Sequence, residues 1–302
     1  MYKVAVLMSS YNGEDFILQQ IDSILNQRNV KVQIYIRDDG STDRTLKIIE
    51  RFKDNVTLFR DENAGLKNSF GSLIWDKNIK ADFYAFSDQD DVWDEDKLLT
   101  AVSVLSEYDG VGMYASNQRV VDANLNFIKP LYGSENNDLP FPEYKNFEDC
   151  FLHCNYFGNT IVLNEDAMMV IRSYRPPSMI VQHDTWVSII VYMFGTIVFD
   201  STMHSSYRQH RKNAVGGLVG PSSILKKVNT VINKQPVYAR LANLLIKGYQ
   251  KQIRINDLKW LHIVSKLPQK TAKIQLLFDK NVKDKSIYKT LVLKVLIVFS
   301  KF

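Results

Sequence analysis

Three carboxylates crowd into four residues at Phe86-Ser-Asp-Gln-Asp-Asp-Val-Trp93, where Asp88, Asp90 and Asp91 follow the apolar run "ADFYAFS". Like charges packed at one strand end repel unless a cation sits among them. Oxygen ligands at this spacing suit a hard divalent ion, Mn²⁺ or Mg²⁺, which keeps some waters and bridges to phosphates. An acidic cluster does not hold a diphosphate by itself; with a metal between them it can. The expected ligand is therefore a phosphorylated substrate.

Two further polar clusters, "SSYNGED" and "RDDGSTD", close earlier apolar runs in the same way. One such cluster is an ordinary turn, because Ser, Asn, Asp and Gly dominate turns. Three at successive strand ends describe a single crevice. Neither a P-loop nor a G-x-G-x-x-G turn stands at these points, which argues against an NTPase and against a dinucleotide-binding domain.

The elements that must position these clusters alternate. "YKVAVLM", "VQIYI", "VTLFR" and "DFYAFS" are short and rich in β-branched or aromatic residues, as buried strands are. Between and after them come helical stripes: Ile17, Ile21, Ile24 and Leu25, then Leu66, Phe70, Leu73 and Ile74, then Leu98, Leu99, Val102 and Leu105. Such alternation predicts an α/β fold with a mostly parallel sheet covered on both faces. From about 111 the pattern loosens through "GVGMYAS" and "YFGNTIVLN", with a helix expected near 182–194 and a strand at "TIVF".

The chain has 302 residues, 45% hydrophobic and 24% charged, enough for one large domain or a domain with an appendage. Its start, "MYKVAVLMSS", shows no basic leader and long apolar run, so no signal peptide is expected. Cys150 and Cys154, with His153 between them, are too few ligands for a zinc site and are expected as buried thiols in a reducing cytosol. The net charge of +5 hides an asymmetry. Residues 222–302 hold 17 Lys and Arg against three acids, a balance of +14, which leaves −9 for residues 1–221. The breaker cluster "GGLVGPSS" at 216–223 marks the expected boundary between a catalytic domain, 1–220, and a basic helical region, 221–302. Within the first, two halves are expected, about 1–110 and 111–220.

The stretches "SSYNGEDFILQQIDSILNQ", "RDDGSTDRT", "NAGLKNSF" and "SDQDDVWDEDKL" resemble the inverting family 2 glycosyltransferases of the GT-A fold. "FSDQDDVW", followed by "QHDTW" and "YRQHRKN", is similar to the rhamnosyltransferase-like members that build bacterial cell-surface polysaccharides. The resemblance implies roles by position. Asp39 pairs with the nucleotide base and Tyr11 lies beside it, with Ser10, Asn12, Glu14 and Lys67 also on the nucleotide side and Asp38 orienting the loop. Asp88-Gln89-Asp90 is the D-x-D: Asp90 is the direct metal ligand, Asp88 faces the ribose or a metal-bound water, and Gln89 lies between them on the nucleotide. Asp91 is a third acid or a helix starter. His210 is a late metal ligand. Asp184 is the catalytic base; an N-cap role is its structural alternative. Trp93 and Trp186 are candidates to stack on sugars, and Arg208 and Arg211 to touch the diphosphate.

The resemblance further implies a nucleotide-sugar donor, dTDP-rhamnose first and a UDP-hexose as the alternative, with a lipid-linked glycan acceptor. A nucleotidyltransferase is disfavoured, because "SSYNGED" lacks a Gly-rich, Arg-containing phosphate loop. A non-catalytic glycan- or nucleotide-binding module remains the alternative of another class. The apolar run "LVLKVLIVF" near the C-terminus is too short to span a bilayer and contains Lys294, so the basic region is expected to meet an anionic membrane surface. The expectation is a cytoplasmic enzyme, peripheral at the inner face of the cell membrane, without nucleic acid and open to homo-oligomerisation.

Overall fold

The computed structural model describes residues 1–133, 139–210, 236–284 and 286–302. The chain forms two compact units. One comprises Met1–Pro142, Tyr156–Ser173 and Gln182–Gly217; the other comprises Glu143–Asn155, Tyr174–Val181 and Leu218–Phe302. The breaker cluster at 216–223 and Arg211 lie outside the described residues.

The first unit is built on one sheet. Strands β1 (Lys3–Ser10), β2 (Lys31–Asp38), β3 (Val56–Arg60) and β4 (Phe83–Ser87) are parallel, in the order β3-β2-β1-β4. Residues 4–10 of β1 are all buried, which is why this strand is nearly unbroken in its apolar character. Helices α1 (Ile17–Leu25), α2 (Thr45–Ile49), α3 (Leu66–Ile74) and α4 (Lys97–Leu105) follow β1, β2, β3 and the short β5 (Val92–Trp93). Ile17, Ile21 and Ile24 of α1 are fully buried against Val6, Met8 and Ile34 in one core cluster. Spacing of 3.6 residues made that face, and burial of several such side chains at about 1.5–3 kcal/mol each holds the helix down.

Beyond β4 the sheet changes direction. The order continues β4-β8-β6-β9-β5, with β8 (Val162–Asn164) antiparallel to both β4 and β6 (Gly112–Val121). β6 pairs in parallel with β9 (Thr196–Arg208), and β7 (Phe127–Pro130) hangs off β6. The strand expected at "TIVF" is thus the start of a 13-residue strand that carries "YR" of the late basic motif to the site. Helices α6 (Glu165–Arg172) and α7 (His183–Phe194) complete this unit, the latter within the expected span 182–194.

In the second unit, α5 (Phe147–His153) joins the helices of the basic region. These are α8 (Val237–Tyr249), α9 (Ile255–Ser265), α10 (Lys270–Phe278) and α11 (Ile287–Val298). Phe147 and Phe151 set their rings edge-on to Trp260, at centroid distances of 6.2 and 5.3 Å. Leu245, Leu261, Val264, Leu276 and Ile297 are fully buried in the same unit. Cys150 is buried on α5 and Cys154 half-buried at its end; both are free thiols.

Candidate active site

The C-terminal ends of β1, β2 and β4 open onto a cavity of about 570 Å³. Tyr11, Asp39, Asp88, Gln89, Asp90 and Asp184 all line it. The parallel pairing sets Ser10 opposite Asp38 and Met8 opposite Ser87, so the three polar clusters end at one level and meet.

Just past the end of β2, Asp39 is held rather than free. Its carboxylate accepts from the Gly65 N–H at 2.8 Å and pairs with the Arg37 guanidinium. Gly65 adopts φ +77, a left-handed conformation that favours glycine, just before α3 begins. Asp38 orients the loop: it accepts from Ser41 N–H at 2.8 Å and from the Ser41 and Ser10 hydroxyls. Ser10 is therefore 1% exposed and turned away from the cavity, and Ser9, its neighbour with opposite side-chain direction, lines it instead. Asn12 and Glu14 are also scaffold. Asn12 accepts from Thr42 N–H at 2.8 Å, and Glu14 accepts from the backbone and side chain of Arg44. Lys67 stands in the first turn of α3, next to cavity-lining Leu66 but not itself on the wall.

Gln89 ties the D-x-D to the first loop. Its amide accepts from Tyr11 N–H at 2.9 Å and donates to the Tyr11 carbonyl at 3.0 Å. A Cβ on Gly13 would collide with that amide, so a small residue is required there. With the amide engaged twice by backbone, Gln89 is a spacer that fixes Tyr11 rather than a hydrogen-bonding partner for a nucleotide.

Asp90 and His210 meet: Oδ2 and Nε2 are 2.8 Å apart, and the imidazole packs on Phe16 at 4.7 Å. Asp88 is pushed up to about 7, first by burial, then by the charges of Asp90 and Asp184. Among the described residues none donates a hydrogen bond to its carboxylate. Among the described residues no three acid, His or Cys side chains form a ready cage for an ion. Two or three ligands with open positions nonetheless fit Mn²⁺ or Mg²⁺, which complete their shells with water and diphosphate oxygen. A cation beside Asp88 and Asp90 would relieve the repulsion that raises Asp88.

That repulsion gives a pH-dependent stability when metal is withheld. Asp88 is raised to about 7 in the folded chain, against about 3.9 unfolded, so between these values the folded state holds a proton that the unfolded state has lost. Stability contributed by this group therefore falls as pH rises from about 4 to about 7. Thermal melts in EDTA should show a Tm slope over this interval that is reduced in Asp88→Asn and opposed by Mn²⁺. An unchanged slope in Asp88→Asn would contradict this account.

Asp184 lies in the first turn of α7, where Oδ1 accepts from its neighbour Thr185 N–H at 2.6 Å. The capping position is Gln182, so Asp184 does not cap the helix and its carboxylate faces the cavity. His183 beside it stacks on Phe70 at 3.7 Å, buried and pushed down to about 4 by desolvation, hence neutral. Gly158 makes room for this ring, because a Cβ there would collide with His183 Nε2.

Four expected contacts are overturned or replaced. Trp93 and Trp186 are 3% and 1% exposed, packed in the core, and present no face to a sugar. The cavity offers Phe157 and Tyr207 instead, beside Leu131 and Leu139. Arg208 is 2% exposed, and its guanidinium donates to the Asp90 carbonyl, the Ala123 carbonyl and Gln19 at 2.6–2.8 Å. It braces the D-x-D from behind and does not point at a diphosphate. Asp91 starts no helix; α4 begins at Lys97. Fully buried, Asp91 accepts from the Arg208 N–H at 3.2 Å and from the Asn159 amide, linking the D-x-D to β9 and to the 158–160 turn. Asn159, Gln182 and Gln209 also line the cavity and were not anticipated, because isolated amides carry no spacing signal.

A sheet whose parallel strands bring Asp39 and a D-x-D to one cavity, opposite a carboxylate on a later helix, has the architecture of a glycosyltransferase of the GT-A class. The family model described as Glycosyl transferase family 2 matches residues 5–168, and the chain belongs to that family. It is 30% identical over 252 residues to the dTDP-rhamnosyl transferase RfbG of Shigella flexneri, covering 79% of this chain and 84% of that one. Among solved structures, S. aureus TarS 1–349 in complex with UDP-GlcNAc superposes with a TM-score of 0.60 at 16% identity, covering 86% of this chain and 70% of that one. The mannosyltransferase PcManGT from Pyrobaculum calidifontis, in complex with GDP-Man and Mn²⁺, gives 0.52 at 16% identity, over 98% and 74%. At these identities the two structures speak to the fold.

Proposed function

We propose that this glycosyltransferase is metal-dependent and inverting, and that it moves rhamnose from dTDP-rhamnose to a hydroxyl of a growing, lipid-linked bacterial surface polysaccharide. The observation that carries the reading is the convergence of Asp39, Asp88, Asp90 and Asp184 on one cavity. The donor assignment is supported by the likeness to the Shigella flexneri dTDP-rhamnosyl transferase.

In this reading Asp39 accepts from an N–H of the pyrimidine and Tyr11, half exposed, offers its ring beside it. Asp90, His210 and Asp88 would hold Mn²⁺ or Mg²⁺, which offsets charge developing on the leaving diphosphate. Asp184 takes the proton of the acceptor hydroxyl. That oxygen bonds to the anomeric carbon on the face opposite the diphosphate, the carbon–oxygen bond to the diphosphate breaks, and its electron pair leaves with the nucleoside diphosphate. Neutral His183 supports the position of Asp184 without competing for the proton. Phe157 and Tyr207 supply apolar faces for the sugars.

A UDP-hexose is the second donor to consider, favoured by 30% identity over 125 residues to the UDP-Glc-dependent β-1,3-glucosyltransferase WfgD of Escherichia coli. The enzyme is further proposed to work at the cytoplasmic face of the membrane. Peripheral attachment is part of this proposal; among the described residues no helix is long and apolar enough to cross a bilayer.

The test is nucleoside diphosphate release from dTDP-rhamnose, UDP-glucose, UDP-galactose and UDP-N-acetylglucosamine, each with Mn²⁺ or EDTA. Metal-dependent release from dTDP-rhamnose, lost in Asp90→Ala, is expected. Release from a UDP-sugar alone would replace the donor, and release that survives both EDTA and Asp90→Ala would remove the metal.

A further inference from the structure

Helix α11 is apolar on the wrong side. Its inward face buries Leu293 and Ile297, four residues apart. Its outward face is a second apolar stripe at helical spacing: Ile287, Leu291, Val295 and Val298, exposed by 82%, 59%, 41% and 50%. Tyr288 and Phe299 flank the stripe, also exposed. A helix apolar on all sides is normally surrounded by other structure, and here half of it has no partner among the described residues. The adjoining α10 repeats the feature with Ile274 and Phe278, four apart and 48% and 86% exposed.

The two helices are fastened to each other through their carboxyl ends. Lys294 donates to the Leu276, Leu277 and Asp279 carbonyls of α10, and Lys273 donates to the Val298 carbonyl of α11. Both lysines satisfy helix-end carbonyls and favour the dipoles there. The outward apolar side chains are thus carried on a braced helix pair, not on a frayed end. Exposed Lys270, Lys280, Lys283 and Lys289 stand in the same two helices and their connection.

We infer that the outward stripe of α11, with Ile274 and Phe278 of α10, lies in the surface of an anionic bilayer, its lysines engaging the headgroups. As the means by which the enzyme meets a lipid-linked acceptor, this inference rests on the function proposed above. Charge selects the occupant. Residues 222–302 carry 17 basic residues against three acids, so a second copy of this chain docked face to face would oppose two strongly positive surfaces, whereas an anionic leaflet is complementary. Length selects the mode. The 12 residues of α11 extend ~18 Å, short of the ~30 Å hydrocarbon core, so the helix lies in the interface and does not span it.

The experiment is co-sedimentation of the full chain with phosphatidylcholine vesicles and with vesicles containing about 30% phosphatidylglycerol. The wild type should pellet with the anionic vesicles and be released by salt. Leu291→Glu/Val295→Glu should bind on the order of tenfold less or worse, since two buried apolar side chains are lost to charges; Lys280→Glu/Lys289→Glu should weaken binding and its salt dependence. Nucleoside diphosphate release from soluble donor should be unchanged in both variants, which shows that they are folded. Absence of wild-type binding to anionic vesicles, or binding equal in Leu291→Glu/Val295→Glu, would overturn the inference. So would a wild-type dimer that becomes monomeric in that variant without vesicle binding, which would assign the face to a second copy. Vesicle binding without donor turnover would instead defeat the proposed function and leave the membrane face standing.

Discussion

Asp184→Asn is expected to lower the rate of sugar transfer by about 10²–10⁴-fold, the range that a positioned general base contributes. Asn matches Asp in shape, and its carbonyl can keep the hydrogen bond from Thr185, so the first turn of α7 should stay in place. What is lost is the carboxylate that, in the proposed mechanism, takes the acceptor's proton. Donor affinity should change by no more than about threefold, because the base acts on the acceptor and contributes mainly in the transition state. A second readout separates chemistry from architecture. Asp184 is one of the charges that raise Asp88, so its neutralisation should lower the Asp88 pKa and reduce the pH slope of metal-free stability. Turnover within a few-fold of the wild type, or a collapse of donor affinity, would show that Asp184 is not the base.

Asp91→Ala is expected to cost about 1–3 kcal/mol of stability for each of the two buried donors that lose its carboxylate. The reason lies behind the D-x-D. Lys97 is fully buried, its Nζ sits 4.3 Å above the Trp93 ring, and no hydrogen-bond acceptor reaches it among the described residues. Desolvation pushes this lysine down to about 7, while Asp91 and Asp94 act to keep it charged. Burial likewise pushes Asp91 well up. Ala at 91 removes the larger of the two charges that favour the Lys97 ammonium, leaves the Arg208 N–H without its carboxylate acceptor, and leaves the Asn159 amide with Gln118 alone. The Tm of the unit that holds the sheet should drop on the order of 10 °C. Asp91→Asn, whose amide oxygen can still accept from the Arg208 N–H, should lose less than Asp91→Ala. An Asp91→Ala variant that melts within about 2 °C of the wild type would refute this role of Asp91.

These two effects differ in how far the amino-acid order alone foretells them. Asp184 stands out in "QHDTW" at the head of a helical stripe, and the D-x-D stands out as carboxylates closing an apolar run. Strand–helix alternation over the first hundred residues was equally legible, because period-2 and period-3.6 patterns are local properties. So was the charge of the C-terminal region. None of these needed a contact partner to be recognised.

What the chain order could not decide is which member of each cluster faces the cavity. "SSYNGED" offers Ser9 and Ser10 alike, and only the pleat of β1, packed on both sides, turns Ser9 inward and sends Ser10 to Asp38. The same holds for Trp93 and Trp186, whose aromatic surface is as suited to a core as to a sugar until neighbours enclose it. Arg208 reads as a ligand contact and Asp91 as a third acid or a helix starter, yet β9 returns from more than a hundred residues away and gives both of them protein partners. The reversal of the sheet at β8 arises likewise from pairings between distant segments. Local pattern sets which elements form and which chemical groups they carry. Side-chain direction, and whether a charge meets solvent, substrate or another charge, is set by packing between residues far apart in sequence, and only the tertiary structure holds that information.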